Sequence, residues 1–170
     1  MSFLDLVTIE KALEACPPCP ACKEVLAGAR KAGFRDFKFI PSDHGRSNAT
    51  SGLRVNAAMV IFGNGDLSRN FSIHHLQNQK RSWATTSGVW TSTKLVLETL
   101  LSTTGTIFYL DIPGYRRTLL IIPSSDLIEA YHLGDDRTAV TMSIPSPLKD
   151  TGTLPFTKYD EAWGVVPRIN

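Results

Sequence analysis

The sequence is short of the residues that staple a chain, span a bilayer or hold a nucleotide. Its three cysteines all fall in one heptapeptide, Cys16-Pro-Pro-Cys19-Pro-Ala-Cys22. An odd number with no distant partner excludes a disulfide framework and points to a reducing compartment. The longest apolar runs, such as Thr118–Pro123, fall far below the roughly 20 residues of a membrane-spanning helix. The opening stretch MSFLDLVTIEKALEA has no basic flank and no small-residue cleavage site after an apolar core, so a secretory leader is not expected. The predicted location is intracellular, cytoplasmic or nuclear, with no membrane partner. Charge is also scarce: 18 Lys and Arg against 16 Asp and Glu give a net +2, too little to imply a polyanionic partner by itself. Neither Gly-x-x-x-x-Gly-Lys-Ser/Thr nor Gly-x-Gly-x-x-Gly occurs, so no phosphate-cradling loop is predicted. No Gly-x-Ser-x-Gly elbow occurs either.

What remains is a chain of 170 residues, 42% hydrophobic, enough for one domain over residues 1–170 with its own core. Phe3, Leu6, Ile9 and Leu13 recur at helical spacing after a Ser2/Asp5 cap. The Pro-rich cysteine segment ends that helix, Pro20 opens a second, and Gly33 closes it. Phe34–Pro41, Asn56–Phe62 and Asn70–Leu76 read as strands, the last two joined by a Gly63-Asn64-Gly65-Asp66 turn. Ser82–Ser92 reads as irregular and Thr93–Ser102 as a buried helix. Thr106–Ile112 and Thr118–Ile122 form a second hairpin. A short helix over Ser124–Tyr131, a strand over Thr138–Ile144 and a terminal helix from Thr157 complete the order. The expected fold is α/β (α+β): a mixed, largely antiparallel sheet flanked by helices.

The run of elements from Phe34–Pro41 through the Thr106–Ile122 hairpin is similar to the core of the restriction-endonuclease-like PD-(D/E)XK nucleases. The resemblance spans residues 34–144 and lies in the order of elements. It implies a nuclease-like sheet and nucleic acid as partner. In that family one strand carries a metal-binding Asp and the next an acid-x-Lys. Here those positions fall near Asn56, and near His75 and Gln77, and no acid-x-Lys triplet occurs between Asn56 and Lys80. The triplet Asp36-Phe37-Lys38 has no preceding strand to supply its partner. Hydrolysis by a divalent metal needs carboxylate oxygens to hold the ion. The resemblance therefore implies a degenerate copy that binds rather than cuts, with no cofactor and no metal ligands assigned.

Charge distribution points to the same partner. Between Ser42 and Lys94 the bases are Arg46, Arg54, Arg69, Lys80, Arg81 and Lys94, against only Asp43 and Asp66. Arg46, Arg54, Arg69, Lys80 and Arg81 are candidate phosphate contacts, and Trp83 a candidate base-stacking residue. Arg116-Arg117 reads as a solvated hairpin tip. If there is chemistry, His44 or His74, with Asp43 beside His44, are the candidate catalytic residues. Their order with Asn64 has a similarity to the His-Asn-His nuclease pattern, so a metal-dependent, histidine-based nuclease is one alternative. Against it, a strand over Asn70–Leu76 sends His74 and His75 to opposite faces. A protein-interaction or structural module, possible as a homo-oligomer, is the other alternative. An exposed apolar patch is its expected mark.

Overall fold

The structure, a computed structural model, describes residues 20–41, 58–63, 69–76 and 88–166. The helix expected near the start, Cys16, Cys19, and the candidates Asp43, His44, Arg46, Arg54, Lys80, Arg81 and Trp83 lie outside the described residues.

Helix α1 (Pro20–Lys31) opens on a proline, whose missing N–H is one of the donors a first turn leaves unpaired anyway. It closes at Gly33, which adopts φ 92°. Gly33 N donates to Arg30 O and Phe34 N to Ala29 O, both at 3.0 Å, a pairing that needs a left-handed residue after the last turn. Arg30 and Lys31 sit in that turn, at the negative end of the helix dipole. Ala21, Cys22, Val25 and Ala29 form its buried stripe.

Five strands make the central sheet: β1 (Phe37–Pro41), β2 (Ala58–Phe62), β3 (Arg69–Leu76), β5 (Gly105–Leu110) and β6 (Thr118–Pro123), in the order β1-β2-β3-β5-β6. The first three form an antiparallel meander. β3 and β5 run parallel, from Phe71↔Gly105 to Leu76↔Leu110, and β6 returns antiparallel to β5. A parallel pair needs a crossover. Here β4 (Val89–Val96) and α2 (Leu97–Ser102) provide it. β4 pairs antiparallel with β7 (Ala139–Ser146) as a separate two-stranded ribbon. α3 (Ser124–Ala130) follows β6, and two 3-10 turns, Phe156–Tyr159 and Trp163–Val165, end the described chain. The fold is thus the expected mixed, mostly antiparallel sheet with helices packed on it.

Two regions differ from expectation. Residues 93–102 are helical only from Leu97, and the strand β4 occupies 89–96. Val89, Thr91, Thr93 and Leu95 point inward in alternation while Trp90, Ser92, Lys94 and Val96 are exposed. The leucines that suggested a helix belong to two elements, and β-branched Thr and Val suit the pleated ribbon. The expected terminal helix is replaced by the 3-10 turns, which are too short to form a helical face.

Each face of the sheet has its own core. Phe37, Phe39, Phe62, Phe71, Ile73 and Ile107 pack under α1. Phe108, Leu120 and Ile122 pack against Leu127, Met142, Ile144 and Phe156 on the other side. β5 is buried at all six positions, as expected of a strand covered on both faces. Phe62 is the hub of the α1 side, with ring centroids of Phe34, Phe37, Phe71 and Trp163 at 5.2, 5.8, 5.8 and 6.3 Å. Phe62→Ala is expected to cost about 3–5 kcal/mol, read as a lower urea midpoint with unchanged slope. A β-carbon on Gly105 would meet the Phe71 ring at 2.5 Å and the backbone oxygen of Ile122 at 2.8 Å. Gly105→Ala should therefore cost about 1–3 kcal/mol in the same measurement, because the carbonyl cannot step aside without opening the β5–β6 ladder.

Candidate site at the carboxyl edge of the sheet

The parallel pair sets the geometry. β3 and β5 both end at one edge, and their last paired residues are Leu76 and Leu110. At that edge β1 ends and β2 begins, with Pro41 paired to Ala58. β6 begins there too, opposite Leu110. Alternation along β3, β5 and β6 carries His75, Tyr109, Asp111 and Arg117 to the α1 side. Glu24 meets them from α1.

Asp111 extends the parallel ladder by one bond, its N–H donating to Leu76 O at 3.0 Å. Its carboxylate is shared: Oδ2 lies 3.5 Å from His75 Nε2 and Oδ1 lies 3.5 Å from Arg117 Nε. The same guanidinium reaches Glu24 Oε1 at 3.8 Å. A chain Glu24–Arg117–Asp111–His75 thus crosses the edge from helix to strand. The His75 ring lies against the Tyr109 ring at 5.0 Å. The Tyr109 hydroxyl is buried without a hydrogen-bond partner among the described residues. Burial raises its pKa most, and Asp111 and Glu24 add to this against a smaller lowering by Arg117. The hydroxyl therefore stays protonated as a donor. A carboxylate beside an imidazole helps to orient the ring. Arg117, 66% exposed, is tied by two acids and acts first as their clamp.

The sequence candidates separate in the folded chain. His74, singled out for proton transfer, faces the other core, with its ring 5.4 Å from Phe108. Burial pushes its pKa below the ordinary histidine value, so it is a packed neutral residue. His75 occupies the position near the acids. Arg69 pairs with Phe62 at the amino end of β3, six residues or roughly 20 Å along the strand from His75. It does not join this edge. Among the described residues, no three His, Cys, Asp or Glu side chains are grouped to hold a metal ion. Trp90 and Val96, two of the exposed large apolar residues, stand at opposite ends of β4, again roughly 20 Å apart. They form no single patch. Among the described residues no helix is long and apolar enough to cross a membrane.

Sequence reasoning missed Tyr109, Asp111 and Glu24, and read Arg117 as solvated. The available signal was an acid directly after an apolar strand and a basic pair directly before the next. Which helix residue meets them had no sequence signature. No family model matches the chain, and neither the curated proteins nor the solved structures contain a significant match.

The half-buried His74 has a stability consequence. The folded state disfavours its protonation, whereas the unfolded chain takes up a proton near pH 6.5. The unfolded state then binds more protons, so this contribution is present above about pH 6.5 and is lost as pH falls. His74→Leu should therefore gain thermal stability relative to the wild type as pH drops from 7.5 to 5.5. A melting-temperature difference that stays constant over that range would contradict the assignment.

Proposed function

We propose that the chain is a nucleic-acid-binding domain on a nuclease-like sheet, with its binding surface at the carboxyl edge of β3 and β5, and that it binds rather than cuts. The observation that carries this reading is topological. Residues 42–57 leave and re-enter the sheet between Pro41 and Ala58, and residues 77–87 depart from Leu76. Both segments are therefore tethered at the same edge as the Glu24–Arg117–Asp111–His75 chain. In sequence they contain Arg46, Arg54, Lys80, Arg81 and Trp83, together with Asp43 and His44. In open α/β sheets ligands settle beyond the carboxyl ends of the parallel strands, and by analogy the corresponding edge of the β3–β5 pair is the place to look here. The succession of meander, crossover helix, parallel strand and returning strand also supports the nuclease-like reading. Asn56 and the missing acid-x-Lys support binding without the two-carboxylate chemistry.

The described arginines at this edge are engaged: Arg117 by Asp111 and Glu24, Arg116 by Asp160. Phosphate contact falls to the cations of the two tethered segments, and Arg69 is left out of the footprint.

Fluorescence anisotropy with short DNA and RNA duplexes across a salt series tests the proposal. Binding should weaken linearly in log–log form with salt. The Lys80→Ala/Arg81→Ala double variant should lower the slope by about 2, one for each contact removed. Arg69→Ala should leave it unchanged. An absence of binding at low salt, or a slope untouched by the double variant, removes the reading.

A further inference from the structure

Edge strands are normally covered or blunted, because their unpaired N–H and C=O groups template further pairing. β6 is covered by the last turns, where Asp160 bridges Leu120 and Glu161 N donates to Leu119 O at 2.7 Å. β7 carries Pro145, a residue that sheets tolerate at edges because it has no N–H to pair. β4 has no such cover among the described residues: its strand pairing is with β7 alone. The ladder fixes where its backbone groups point. Leu97 N donates to Thr138 O at 2.8 Å, so the odd-numbered residues of β4 bond to β7. In agreement, Trp90 stands opposite Pro145, which has no N–H to give. Antiparallel alternation then turns the N–H and C=O of Trp90, Ser92 and Lys94, and the N–H of Val96, to the open edge.

The side chains of the same four residues are exposed. Along the strand they run apolar, polar, polar, apolar: Trp90, Ser92, Lys94, Val96. Trp90 is 51% and Val96 36% exposed. Lys149 lies over the Trp90 ring at 5.5 Å and still leaves it half open. On one copy Trp90 and Val96 are too far apart to share a patch. Under antiparallel pairing, however, this pattern is its own complement, which is the condition for a two-fold interface between identical chains. The choice of register is narrow. A two-fold axis at Ser92 sets Trp90 against Lys94. An axis at Lys94 sets the two lysines face to face, which is unfavourable. An axis at Thr93 sets Trp90 against the second copy's Val96 at both ends, and Ser92 against its Lys94.

We propose that the chain forms a reversible homodimer through β4, antiparallel and two-fold about Thr93, so that the two-stranded ribbons of both copies join into one sheet. Ser92 and Lys94 exchange ladder bonds with the second copy's Lys94 and Ser92, and Val96 N–H donates to its Trp90 carbonyl. A second copy fits the edge better than a foreign strand because it already carries the matching spacing of apolar and polar residues. Sheets also gain stability beyond two strands. The interface is one strand wide and belongs with the small, transient class, so the monomer persists on dilution. The dimer is independent of the nucleic-acid reading, since β4 holds none of the proposed phosphate or base contacts.

Sedimentation velocity of the full chain from about 1 µM to about 500 µM covers the range of such complexes, and the mass should rise from monomer toward dimer. Ser92→Pro removes an outward N–H that the monomer's ladder does not use. Val96 stands at the N-cap of α2 without a side-chain cap bond, so Val96→Asp supplies a favourable cap while deleting the apolar contact with Trp90. Each variant should weaken dimerisation at least about tenfold. Thr141→Pro, opposite Lys94 on the outer edge of β7, should leave it unchanged. Thermal melts check that all three remain folded. The register is read by mild oxidation of Thr93→Cys, Ser92→Cys and Lys94→Cys, with the wild type as control for the native cysteines. Thr93 Cα atoms facing each other across the axis are about 4.5 Å apart, within disulfide reach, so Thr93→Cys should cross-link most. A chain that stays monomeric at every concentration overturns the proposal, whatever strand of another protein its edge then takes. So does a dimer that Thr141→Pro breaks and Ser92→Pro does not, or cross-linking that is strongest at 92 or 94.

Discussion

The parallel pairing of β3 with β5 is the constraint from which the rest follows. Ile73 sits opposite Ile107, both fully buried, so the pair runs through the middle of the molecule. A parallel join cannot be made by a tight turn, and the chain has to leave the sheet and return. The crossover through β4 and α2 then places a ribbon and a helix on one face, while α1 covers the other. Both faces being covered is what allows β5 and β6 to be nearly continuous apolar runs.

The same pairing decides where polar chemistry can sit. The middle of the sheet is filled on both sides, so charged groups collect where strands end. At the carboxyl edge, alternation sends Tyr109, Asp111, His75 and Arg117 one way and Arg116 the other. The two adjacent arginines thus serve different acids on opposite faces: Arg117 holds Asp111 and Glu24, and Arg116 holds Asp160. One hairpin tip thereby organises the Glu24–Arg117–Asp111–His75 chain on one face and the Arg116–Asp160 pair on the other. Each arrangement contains a buried polar atom without a described partner, the Tyr109 hydroxyl in one and Asp160 Oδ1 in the other. Such atoms are unfavourable for stability alone.

His74 and His75 show how strongly a strand separates neighbours. They are adjacent in sequence, yet one packs its ring against Phe108 with its charged form disfavoured, while the other lies beside a carboxylate. A site that uses both on one ligand is incompatible with this backbone. Burial disfavours the charged form of His74, which counts against a proton-transfer role for it.

Local patterns in the sequence were sufficient for the Pro20-to-Gly33 helix, for the Asn70–Leu76 strand with its histidines on opposite faces, and for the β5–β6 hairpin, because caps, period-two alternation and turn residues act over a few positions. They failed at 93–102, where clustered leucines conceal a junction between a ribbon strand and a short helix. Only the partner strand β7, some 50 residues away, decides that boundary. The candidate site divides in the same way. That a basic central stretch exists is a property of composition. That Glu24, His75, Tyr109, Asp111 and Arg117 meet is a product of tertiary structure, since they come from four elements brought together by the parallel pair. Charge–charge contact across such separations leaves no periodic trace in the chain, so only the folded sheet could reveal it.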